Sequence, residues 1–155
     1  MWIRALVAST HYLALALGFW SIMERGRAVR ALIGSNNFEV QVKRVFFYDN
    51  FWGMAALLWI GTGLLRAFGG LEKGTAYYIS NGLFWTKLSL FALVILLELF
   101  PMTTFTRWRI RTRKALPLAI SEDRLKILSR INTFEVILVI LIVFVAGLMA
   151  RGVGI

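Results

Sequence analysis

Four long apolar segments alternate along the chain with shorter segments that carry most of its charge. The apolar segments run over about Leu6–Met23, Phe51–Phe68, Leu83–Phe100 and Phe134–Ala150. Each has close to the ~20 residues that a helix needs to cross a hydrocarbon core ~30 Å thick. A spanning backbone must satisfy its own hydrogen bonds, and the segments lack the alternation of barrel strands, so they are predicted to be helices. The pattern therefore predicts an all-α membrane protein, an up-and-down bundle of four transmembrane helices.

The composition leaves room for a single domain over residues 1–155. With 155 residues and 59% hydrophobic content, the four segments and their loops use almost the whole chain. The absence of cysteine excludes disulfides, thiolate metal sites and covalent haem attachment.

The positive charge is distributed unevenly between the two ends of the predicted bundle. A net charge of +10 would suggest nucleic-acid binding in a soluble protein. Here thirteen Lys and Arg residues lie in the loops after the first and third segments, and four lie at the opposite end. Because cytoplasmic loops are enriched in Lys and Arg, both termini are predicted to lie on the non-cytoplasmic side. The charge is thus explained by topology, and no nucleic-acid partner is expected.

Two features are predicted to lie at the cytoplasmic interface. The basic run Arg107–Lys114 is expected to bind anionic lipid head groups or an acidic partner. Trp52 and Trp108 are expected to belong to an aromatic belt at the same interface.

One layer near the non-cytoplasmic side combines a histidine, a lysine and positions without side chains. It contains His11 in the first segment, Lys87 in the third, and Gly61 and Gly63 in the second. A neutral imidazole can ligate haem iron, a glycine face can admit a flat macrocycle, and a lysine can pair with a propionate. These four residues are therefore candidates for binding haem b or a similar tetrapyrrole, with His11 as the metal ligand. The alternatives are glycines that serve packing alone, a lysine that extends to the surface, and a histidine that carries protons.

A second polar layer is predicted near the cytoplasmic end. Its members are Glu24, Asp49, Glu98, Asn132 and Glu135. Either they form structural ion pairs that hold helix ends together, with Glu98 meeting Arg25, Arg44 or Arg130, or they provide a proton route from the cytoplasm towards the histidine layer.

Four stretches of the chain resemble motifs of known membrane proteins. They are Trp2–Leu6 followed by His11, Leu83–Leu88, Arg107–Arg109 and Arg130–Glu135. On these motifs the chain resembles a family of small bacterial predicted membrane proteins of unknown function. That family is similar to the HemJ-type protoporphyrinogen oxidases, which are four-helix membrane proteins that bind haem b.

The resemblance implies a multi-pass protein of the bacterial inner (plasma) membrane with haem b as its cofactor. It implies that His11 and Lys87 are needed for haem binding or activity, and that the protein is an oxidoreductase acting on a porphyrinogen. A competing hypothesis is a non-catalytic accessory subunit packed against a larger respiratory or photosynthetic complex. Its partners would be other membrane subunits or a second copy of the chain in a homodimer.

Overall fold

The computed structural model describes residues 2–118 and 120–153. In this part of the chain there are five helices: α1 (Trp2–Ala31), α2 (Phe38–Phe68), α3 (Thr75–Ser80), α4 (Gly82–Arg113) and α5 (Glu122–Ala150). All except the short α3 are long and apolar enough to cross a membrane. The predicted fold class, a bundle of four long helices, is confirmed. The side of the membrane on which the termini lie stays a prediction from the charge distribution.

The four long helices extend beyond the apolar segments. Helix α1 continues past Met23 to Ala31, and α2 begins at Phe38, well before its apolar segment. Helix α4 passes through Pro101, which has no N–H to donate to the preceding turn, and ends at Arg113. The helices therefore carry their basic residues on turns that continue the backbone hydrogen bonding of the spans.

Side-chain caps fix the starts of the last two long helices. The Asn81 side chain accepts a hydrogen bond from the backbone N–H of Leu83 at 2.9 Å. The Ser121 hydroxyl accepts one from the N–H of Arg124 at 3.3 Å, and Glu122 and Asp123 follow in the first turn of α5. Acceptors and negative charge are favourable at these positions because the first N–H groups of a helix have no partner within it.

Helix α1 is central to the packing: it lies along α2 on one side and against α5 on the other, and α4 packs on α5. Helices α2 and α4 are not a closely packed pair in the described part of the chain, and a cleft separates them. A buried apolar cluster in the middle of the bundle consists of Ile22, Trp52, Val94, Val139 and Ile142. All four long helices thus contribute to one core.

The two ends of the bundle differ in chemistry. We call the end of the bundle that contains α3 the terminal end. There α3 and the loops around it contact the last residues of α5. There the Tyr77 hydroxyl donates to the carbonyl of Met149 at 2.8 Å, and Asn81 Nδ2 donates to that of Val153 at 3.1 Å. The opposite end, which we call the basic end, consists of the other two loops and the helical turns beside them, which together carry the thirteen cationic residues.

The expected aromatic belt at the basic end is not observed for the two tryptophans assigned to it. Trp52 is 5% exposed and Trp108 2% exposed, so both pack inside the bundle. The basic run Arg107–Lys114 is also divided: Arg109 turns inward and bonds to Asp49, while Arg107 and Arg113 are exposed.

Candidate functional site

The terminal end contains a cavity of about 660 Å³, which we call the terminal cavity. Cavities of this size typically bind small molecules. Residues of all five helices line it, among them His11, Gly63, Arg66, Tyr78, Lys87 and Gly147. The structure thus brings His11, Gly63 and Lys87 together, as the layer in the sequence suggested, and adds residues from the loop between α2 and α4.

Helix α2 holds His11 by both ring nitrogens. Trp59 Nε1 donates to His11 Nε2 at 3.0 Å, and His11 Nδ1 lies 2.8 Å from the hydroxyl of Thr62. That hydroxyl donates its own hydrogen to the carbonyl of Leu58 at 2.6 Å, so it accepts the bond from the histidine. The proton of the neutral imidazole is therefore on Nδ1, and the lone pair on Nε2 accepts the indole N–H.

This arrangement bears directly on iron ligation. An axial histidine needs a free nitrogen lone pair, while its other N–H is held by a neighbouring acceptor. The contact from His11 to Thr62 meets the second condition. The contact from Trp59 occupies the lone pair that iron would need. With the side chains in these positions, His11 does not fit the role of haem ligand.

The two glycines of the predicted layer differ in position. A Cβ added to Gly63 would lie 3.5 Å from Cε1 of His11, so the missing side chain brings the imidazole close to α2. A Cβ on Gly61 would meet nothing within 4 Å, and this residue is not part of the cavity wall. Of the two glycines, only Gly63 therefore lines the terminal cavity, and a role of Gly61 in cofactor binding stays a prediction.

The cations around the terminal cavity are paired to different degrees. Arg66 forms an ion pair with Glu72 at 2.6 Å. Lys73 donates to the Tyr77 hydroxyl at 3.0 Å. The ammonium of Lys87 lies 5.4 Å from the centre of the Phe84 ring, and no hydrogen bond or ion pair joins it to another described residue.

The loop residues at the cavity have defined ionisation states. Burial alone would raise the pKa of Glu72, but hydrogen bonds from Arg66 and Tyr78 and the charge of Arg66 hold it below its usual range. Burial, the negative charge of Glu72 and the hydrogen bond to it raise the pKa of Tyr78 to about 12. At neutral pH Glu72 is therefore an anion that neutralises Arg66, and Tyr78 is a neutral phenol.

A second polar site, which we call the Arg25 cluster, lies between the helices towards the basic end. The buried guanidinium of Arg25 on α1 contacts Asp49 on α2, Glu98 on α4, and both Asn132 and Glu135 on α5. Of the polar residues predicted for this layer, Glu24 is the exception. It pairs with the exposed Arg27 and makes no contact with Arg25, so it lies outside the Arg25 cluster.

Several residues of these sites are not among those that the sequence predicts. Trp59 precedes Gly63 by about one helical turn, and this spacing could have indicated a shared face with the glycine. Arg66, Glu72 and Tyr78 come together only through the fold of the loop and α3, for which the sequence offers no comparable periodic signal.

A family model with the description "Predicted membrane protein (DUF2214)" matches residues 3–154. No curated protein and no solved structure matches the chain. Nothing in these comparisons links it to the HemJ-type oxidases.

Proposed function

Because the chain belongs to the DUF2214 family of predicted membrane proteins, we propose that it is a membrane-embedded binding protein. Its ligand is largely apolar, carries an acidic group and enters the terminal cavity. The observation that carries this proposal is the ammonium of Lys87, which lines a largely apolar cavity and forms no ion pair with a described residue.

Charge and shape support the same class of ligand. A cation without a partner is costly at membrane depth, and a carboxylate or phosphate of the ligand would pair with it. Arg66 is already neutralised by Glu72, so Lys87 is the better site for an incoming anion. The rings of Trp59, Phe84 and Phe91 also line the cavity and suit an apolar body, whether a flat ring system or a chain.

Haem b and related tetrapyrroles belong to this class because each combines an apolar macrocycle with carboxylates. We place the carboxylate at Lys87 and assign no iron ligand to His11, whose Nε2 accepts the Trp59 indole. The metal-free ring should therefore bind as tightly as the iron-loaded one. A HemJ-like redox reaction would require Trp59 to release His11 first.

Binding can be measured with protoporphyrin IX as a ring-shaped probe and palmitate as a chain-shaped competitor. The comparison is wild type, Lys87→Gln and Lys43→Gln in mild detergent. Lys43 is a matched control because it lies on α2 near the basic end, paired with Glu39. A hydrogen bond to a charged group contributes about 1.5–3 kcal/mol, so Lys87→Gln should weaken binding of the preferred probe by about tenfold or more.

The result also distinguishes the two ligand shapes. If palmitate displaces protoporphyrin IX at a concentration below that of the porphyrin, the preferred ligand is chain-like. If displacement needs palmitate in excess over the porphyrin, the preferred ligand is ring-like. Equal affinities of Lys87→Gln and Lys43→Gln would refute the proposal, as would wild type that binds neither probe. For iron, haem b should show no higher affinity than protoporphyrin IX in wild type, whereas Trp59→Phe frees Nε2 and should produce a histidine-ligated spectrum.

Lipid contact at the basic end is a separate part of the proposed role. Arg107, Arg113 and Lys114 are exposed and suit anionic head groups. The accessory-subunit and homodimer hypotheses stay predictions from the sequence.

A further inference from the structure

The Arg25 cluster uses every donor of its guanidinium. Nε donates to Asn132 at 3.2 Å, and Nη1 donates to Asp49 at 3.1 Å and to Glu98 at 2.7 Å. Nη2 donates to Glu98 at 2.9 Å and to Glu135 at 2.7 Å. A guanidinium has five N–H donors, so Arg25 has none left to satisfy a further acceptor.

The acceptors of the cluster are not all satisfied. Both oxygens of Glu98 accept from Arg25, and Asp49 accepts from Arg25 through Oδ1 and from Arg109 through Oδ2 at 2.8 Å. Glu135 differs, because only its Oε2 accepts a hydrogen bond. Its Oε1 is buried and has no partner among the described residues, and the side chain is 0% exposed.

The formal charges point to the same residue. Within residues 2–118 and 120–153, the three carboxylates of Asp49, Glu98 and Glu135 form ion pairs with only two guanidinium groups, those of Arg25 and Arg109. Leaving one negative charge unbalanced inside a membrane bundle is costly, and the group takes up a proton instead.

We propose that the Arg25 cluster is a proton-binding site in which Glu135 holds one proton on Oε1. The protonated oxygen becomes a donor, and we assign as its acceptor Glu98, which shares Nη2 of Arg25 with Glu135. Two carboxylates can form such a bond only when one of them carries a proton. The cluster is then electrically neutral and its buried oxygens are paired.

The proton has a route of exchange on the α4 side. Glu98 lines a smaller cavity of about 110 Å³ between α2 and α4. Trp59 and Phe91 form part of the walls of both this cavity and the terminal cavity. The groups that face Glu135 are Arg25 from α1 and Glu98 from α4, with Asp49, Arg109 and Asn132 around them. Of the three carboxyl groups only Glu98 lines the smaller cavity, so we assign proton exchange to Glu98.

Infrared spectroscopy of the purified full chain tests this directly. A protonated carboxylic acid has a C=O stretch that a carboxylate lacks and that shifts in D₂O. We expect this band in wild type at neutral pH. In Glu135→Gln it should be lost, because the neutral amide replaces the protonated acid and its N–H can donate to Glu98 in place of the O–H.

Glu24→Gln is the matched control, because Glu24 lies in the same layer but pairs with Arg27 outside the cluster. It should keep the band. Wild type without the band would overturn the proposal whether or not the variant folds. A folded Glu135→Gln protein that retains the band would overturn it as well.

Discussion

Replacing Gly26 by alanine removes the space that lets α1 and α5 approach each other beside Arg25. A Cβ on Gly26 would lie 2.4 Å from Nδ2 of Asn132 and 3.1 Å from its Cγ. Real Cβ atoms do not approach another heavy atom so closely, so the Asn132 amide would have to turn away.

The energetic effect follows from the hydrogen bonds of that amide. Asn132 Nδ2 donates to the carbonyl of Ile22 at 3.1 Å, and its Oδ1 accepts from Arg25 Nε at 3.2 Å. The first bond contributes about 1 kcal/mol and the second, from a charged donor, about 1.5–3 kcal/mol. Alanine recovers about 1 kcal/mol of helix propensity relative to glycine. Gly26→Ala should therefore lower the free energy of unfolding by about 1.5–3 kcal/mol.

The measurement is an SDS titration of the protein in detergent micelles, followed by circular dichroism. Gly61→Ala is the control, because its Cβ would meet nothing within 4 Å. This variant should be unchanged or more stable by up to about 1 kcal/mol. Equal changes in the two variants would refute the inferred contact between Gly26 and Asn132.

Two further predictions concern charged groups at opposite ends of the bundle. Arg25→Gln leaves three carboxylates without their common donor and should destabilise the fold by about 3–5 kcal/mol in the same titration, while Arg27→Gln, at an exposed site, should have little effect. In an absorbance titration Tyr78 should ionise near pH 12, and Glu72→Gln should lower that pKa because it removes a negative charge beside the phenol. In the unfolded chain Tyr78 loses this proton near the ordinary tyrosine pKa of about 10. The free energy of unfolding of wild type should therefore fall as the pH rises from about 10 to about 12. If the midpoint of Tyr78 ionisation is the same in Glu72→Gln as in wild type, this explanation of the raised pKa is refuted.

The hydropathy pattern predicts how deep a residue lies along the bundle better than whether it faces the interior or the lipid. The four spans and the two polar layers could be located because membrane depth follows from distance along each apolar segment. The side that a residue faces depends on how each helix is rotated about its axis, which the depth does not give. Trp52 and Trp108 illustrate this, because both were assigned to the interface from depth alone but face the interior.

The same limit explains why Gly61 lies outside the terminal cavity and Glu24 outside the Arg25 cluster. Successive residues of an α-helix are turned by about 100°, so Gly61 and Gly63 lie on nearly opposite faces of α2, about 160° apart, and only Gly63 faces His11. Glu24 directly precedes Arg25 and therefore points about 100° away from it, towards Arg27. The Trp59 contact could not be foreseen, since it depends on the rotation of α1 and α2 together.

Placing Arg25 on the first long helix has a consequence for biosynthesis. The chain is made from its N-terminus, so α1 reaches the membrane before any helix that carries a partner of its guanidinium. Asp49 arrives with α2, Glu98 with α4, and Asn132 and Glu135 only with α5. An arginine without partners is unfavourable in lipid, and Arg25 has all its partners only when α5 is present. We therefore expect the Arg25 cluster to close only after α5 has been made.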